Sequence, residues 1–134
     1  MENVTTLGMS VQLKTDFASA EARIAEELKK EGFGILTEID VKTTLKNKID
    51  VDFRPYKILG ACNPRLAHRA LSTDGEVGLL LPCNVTVSEE EAGVITVSII
   101  DPLVMLGVLS HPDLKAVAEE AKERLGRVVA ALGS

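Results

Sequence analysis

Two rhythms of apolar residues alternate along this chain. Residues 5–13 alternate loosely between apolar and polar, the two-residue period of a strand with one buried face. Phe17, Ala20, Ile24 and Leu28 then recur at the spacing of an amphipathic helix. Asp16 is placed to cap that helix and Gly32 to end it, with Glu26 and Lys30 paired one turn apart on its polar side. A second strand is predicted over residues 33–39. Asp40 then caps a short helix carrying Val41, Thr44, Leu45 and Ile49, whose other face holds Lys42, Lys46 and Lys48.

Pro55 interrupts the chain, and residues 56–62 read as a third strand. Asn63 is a good cap and Pro64 suits the first helical position, so a short helix through Leu66, Ala67 and Ala70 follows, ending before Asp74-Gly75. Residues 77–87 carry Val77, Leu79, Leu81, Cys83, Val85 and Val87 at alternate positions and give the clearest strand signal. A short acidic turn ending in Gly93 returns the chain as residues 94–100, predicting an antiparallel hairpin. Residues 102–109 are almost wholly apolar. His111-Pro112-Asp113 opens a last helix with an apolar stripe from Leu114 to Leu132, and Glu120–Arg124 and Glu123–Arg127 at salt-bridge spacing. Strands separated by helices suggest a parallel pairing somewhere, while the late hairpin is antiparallel. The fold class is therefore α+β: a mixed, mainly antiparallel sheet with helices packed on one face, in one domain over residues 1–134.

Composition narrows the function. The 134 residues are 46% hydrophobic but only 3% aromatic, so the core is aliphatic. A net charge of −5 and the absence of Trp leave neither the basic face nor the stacking aromatics of a nucleic-acid binder. No apolar run is long enough to span a bilayer, and the start, Met-Glu-Asn-Val, lacks the order of a signal peptide, so no membrane partner is expected and the cytoplasm is the default compartment. Two cysteines there are expected to be reduced.

Those cysteines carry the most distinctive local sequence. One lies in Gly60-Ala61-Cys62-Asn63-Pro64, the other in Leu80-Leu81-Pro82-Cys83-Asn84. The run Tyr56-Lys57-Ile58-Leu59-Gly60-Ala61-Cys62-Asn63-Pro64 resembles the signature of domain-of-unknown-function family 302. So do Gly78-Leu79-Leu80-Leu81-Pro82-Cys83 and the segment from Gly32 to Val41, and the resemblance covers nearly the whole chain. It implies a compact fold of β-α-β-β-β-β-α type with extra short helices, commonly a dimer. It implies no established activity, and no catalytic role transfers with it.

Three functions remain. The first is a homodimeric domain binding a small-molecule ligand in a pocket lined by Tyr56, Cys62, Asn63, Cys83 and the apolar piece containing Met105. The second is a thiol-dependent redox or transfer enzyme with Cys62 as nucleophile, activated by the helix that Asn63-Pro64 begins, and Cys83 as resolving thiol. The third is a structural or partner-binding module in which both thiols are core residues, the usual fate of free cysteine. The all-apolar residues 102–109 suit a subunit interface, since twofold dimers are the commonest oligomers. No metal site is expected: Cys62, Cys83, His68 and His111 are scattered, whereas zinc favours about four ligands with a close pair. Glu38 and Asp40 flank one residue, but read as a strand end and a helix cap. No phosphate loop, dinucleotide fingerprint or Ser-His-Asp order is present, and no cofactor is identified.

Overall fold

The computed structural model describes residues 2–134. Six strands form one sheet in the order β1-β2-β6-β5-β4-β3, with β1 at Glu2–Val4, β2 at Gly8–Lys14, β3 at Gly34–Asp40, β4 at Tyr56–Cys62, β5 at Cys83–Glu91 and β6 at Val94–Ile100. Every neighbouring pair is antiparallel. The expected parallel neighbours do not occur, for a topological reason. β2 and β3 run in the same direction, but α1 (Phe17–Lys30) carries the chain across the full width of the sheet, leaving β6, β5 and β4 between them.

α1, α3 (Pro64–Thr73) and α5 (Pro112–Gly133) cover one face. Their buried stripes, among them Ile24, Leu28, Leu66, Leu114, Leu125 and Leu132, meet the alternate strand residues Val11, Leu59, Val85, Val87, Ile95, Val97 and Ile99. α2 (Val41–Ile49) packs at the β3–β4 side and buries no residue fully. The local signals act as their chemistry demands. Asp16 accepts from the Ser19 amide (2.8 Å) and Asp40 from the Thr43 amide (3.0 Å), each at a helix start. Gly32 ends α1 at φ +83°, a conformation that costs glycine nothing.

Two expectations fail locally. Residues 77–87 are not one strand: Gly75–Leu80 form a 3-10 turn, Leu79 is exposed, and the strand begins only at Cys83. The Asp74 carboxylate accepts from the Glu76 amide (2.9 Å) and starts the turn, and Pro82 has no N–H to give a ladder. The polar pairs also differ. Lys30 reaches Glu27 (2.7 Å) rather than Glu26, and Arg127 takes Glu31 across the helix–helix contact (2.9 Å) rather than Glu123. Glu120–Arg124 forms at 3.2 Å.

Candidate functional site

At the Cys62 end of β4, five elements (β4, α3, β5, the short helix after β6 and α5) close around a cavity of about 30 Å³. The sequence brings them there step by step. β4 ends at Cys62, and Asn63 caps α3 at once, its Oδ1 accepting from the Leu66 amide (3.3 Å). β5 starts beside that end, with Cys83 the register partner of Ala61. Gly60 makes the approach possible, since a Cβ there would lie 2.6 Å from Pro82 Cγ and closer still to Thr37 Oγ1. After β6, Asp101 caps the short α4 (Pro102–Leu106) by accepting from the Leu103 amide (2.8 Å), and α4 lines the cavity through Pro102, Met105 and Leu106.

Cys62, Asn63, Cys83 and Met105 therefore line one space, although the first and last lie 43 positions apart in the chain. Cys62 is half-buried and Cys83 buried, and both thiols are free. Phe33, Leu66 and Leu106 complete much of the wall, and no charged side chain lines it. Asn63 is the only amide there, and its polar atoms are engaged: besides capping α3, Nδ2 donates to the Glu31 carbonyl (3.5 Å). Arg124 Nη1 donates to the same carbonyl (3.2 Å), so Asn63 ties the end of α1 to the start of α3.

Tyr56 is not part of this wall. It lies on the other face of the sheet, beside Asn84, Thr86 and Ser98. Its ring meets Phe53 edge-on at 6.1 Å, and the Arg54 guanidinium covers both rings, 4.5 and 5.5 Å from their centroids. Arg54 Nε donates to the buried Ser88 Oγ (3.0 Å). The sequence reading missed this cluster. Its one visible signal was a basic residue between two aromatics at 53–56. Of the remaining candidates, His111 Nδ1 accepts from the Asp113 amide (3.1 Å) at the start of α5, and Glu38 pairs with Lys57. Among the described residues no three His, Cys, Asp or Glu side chains converge.

Burial governs the thiols. Desolvation pushes the Cys62 thiol above its ordinary value, in spite of the helix that starts two residues later. Cys83 is pushed up to about 11, first by desolvation and then by the proximity of Cys62. Both thiols are thus shifted in the direction opposite to that of an activated nucleophile.

The match to known proteins follows the same map. The model of a domain of unknown function, DUF302, matches residues 9–132, which takes in every element but β1, save the first residue of β2 and the last of α5. The chain belongs to the DUF302 family. A crystal structure of an uncharacterised conserved DUF302 protein from Bacillus stearothermophilus superposes with a TM-score of 0.84 at 32% identity, covering 94% of this chain and 98% of that one. No curated protein matches the chain. The DUF302 fold is thereby fixed as α+β with an antiparallel sheet. No helix of the described residues is long and apolar enough to cross a membrane.

Proposed function

We propose that this DUF302 domain binds a small ligand in the cavity between Cys62, Cys83 and Met105, and works as a homodimer in a reducing, cytoplasmic setting. One observation carries the reading: residues from β4, β5 and α4 converge on a single apolar space in which the thiols are the only unengaged polar groups. The volume limits the occupant. A water needs roughly 10–15 Å³ measured this way, so about 30 Å³ suits an ion or a molecule of very few atoms unless α4 moves. Tyr56 has no part in this binding, and Asn63 acts by holding the walls.

A thiol-dependent enzyme is the competing reading. Raised thiol pKa values weigh against it, because the thiolate is the nucleophile.

Mass spectrometry under nondenaturing conditions tests the proposal. Ala67 is half-buried in the cavity wall, and Ala67→Leu fills the space. The purified protein is expected to carry an added mass that Ala67→Leu lacks. A bare mass in both overturns the proposal, and a gain in stability for Ala67→Leu then marks the space as a packing gap.

A further inference from the structure

We propose that the ligand of this cavity is a soft monovalent metal ion of the Cu(I) type, held by the thiolates of Cys62 and Cys83 and the thioether of Met105. The inference rests on the reading of the cavity as a binding site and names its ligand class. Cys62, Cys83 and Met105, which carry three of the chain's five sulfur atoms, all line one small space, contributed by β4, β5 and α4. Thiolate and thioether donors select Cu(I) over harder ions.

The rest of the wall sharpens that selection. Magnesium and calcium need oxygen ligands, and the wall offers no carboxylate, while the Asn63 amide is engaged with Leu66 and Glu31. Zinc needs about four nitrogen or sulfur donors, and no imidazole lines the cavity. A two- or three-coordinate ion needs no more donors than Cys62, Cys83 and Met105 carry. The scattered spacing that counts against zinc in the sequence is no obstacle here, because the fold and not a local motif gathers the donors.

Charge and size agree. Binding releases one proton from each thiol to solvent and transfers no electron, leaving a complex of net charge −1. The ten-residue helix α3 begins beside Cys62, with its positive dipole end toward that charge. A single ion fits a space of about 30 Å³.

The test presents Cu(I) without oxygen as its complex with bicinchoninate, whose visible absorbance falls as the protein takes the metal. One equivalent per chain is expected, with only sulfur in the first coordination shell by X-ray absorption. Folded protein should outcompete the urea-unfolded chain, which offers the same sulfurs without their arrangement. Cys62→Ser and Cys83→Ser should each weaken binding by more than the roughly 10–100-fold that loss of a supporting residue costs, and Met105→Leu by about 10-fold. Circular dichroism checks folding; if Cys83→Ser does not fold, Cys62→Ser and the volume-conserving Met105→Leu decide. Unchanged affinity in either folded variant, equal affinity of the unfolded chain, or nitrogen and oxygen in the shell overturns the inference. If Cu(I) is not taken up while the added mass sensitive to Ala67→Leu persists, the metal inference falls and the binding site stands. If neither is seen, both fall.

Discussion

A thiol at the end of a strand and the start of a helix is pulled two ways. The helix dipole favours thiolate, by up to about 1 kcal/mol near a surface; removal from water favours thiol, by far more when burial is deep. Desolvation raises both Cys62 and Cys83, and the sign of the pH dependence follows. A folded-state pKa raised above the unfolded one contributes stability that is complete below the unfolded value and is lost as pH rises toward the folded one. For Cys83 that window runs from about 9.0 to about 11. Stability should fall across it by about 1.4 kcal/mol per pH unit, and Cys83→Ala should flatten the slope in urea titrations. Iodoacetamide should label both thiols more slowly than a model thiol at pH 7, Cys83 gaining speed only as pH nears 11; fast labelling of Cys62 at pH 7 would restore the redox reading. Asn63 makes a different kind of contribution. Its side chain caps α3 and holds the Glu31 carbonyl while 9% exposed, so Asn63→Ala removes a cap and leaves the buried Leu66 amide unmatched, while Arg124 still donates to the Glu31 carbonyl. A loss of about 1–3 kcal/mol is expected in urea unfolding; a change within a few tenths would show that water replaces the amide.

Elements meet at the cavity because one glycine lets them. Gly60 sits where β3, β4 and the Pro82 segment converge, with no room for a Cβ between Thr37 and Pro82. Gly60→Ala should cost about 1–3 kcal/mol by overpacking, read as a lower melting temperature, and should loosen Cys83 enough to speed its alkylation. Normal stability would mean that Pro82 yields freely. Much of this layer was legible in the chain. Caps at Asp16, Asp40 and Asn63, the Pro64 helix start and the β5–β6 hairpin all follow from short-range chemistry, and all are found. What failed was alternation carried past a breaker. Val77 is buried as a strand reading requires, yet it sits in a 3-10 turn, because burial at one position does not fix the period around it. The partnership of Arg127 with Glu31 was equally hidden, since it depends on how α5 crosses α1 and not on spacing within one helix. The candidate site was half legible. Cys62, Asn63, Cys83 and Met105 were named by their motifs and apolar setting, while Tyr56 falls outside the wall because it stands at the other end of β4 and alternates with the core-side Leu59 and Ala61.

At the scale of the whole molecule, the apolar run after β6 serves two directions at once. Pro102 and Leu106 are buried, Met105 turns to the cavity, and Val104 and Val108 remain 43% and 74% exposed. Leu79, on the 3-10 turn that touches α4, is 81% exposed. The expectation that residues 102–109 are apolar on every side because they meet a second subunit thus divides between an inner wall and an outer patch. The outer patch is the part a partner copy would cover, and a domain of this size gains from covering it. A substitution at Met105 confounds the two, because it also disturbs the cavity. Val108→Glu separates them: the side chain points to water in the single chain, so folding should be altered by less than about 0.5 kcal/mol. In a dimer joined through α4 the same change buries an unpaired carboxylate, at a cost of several kcal/mol. Light scattering after size exclusion should therefore find a dimer for the unaltered protein and a monomer of unchanged melting behaviour for Val108→Glu. A Val108→Glu dimer as stable as the parent would move the interface away from α4 while leaving the cavity and its metal chemistry untouched.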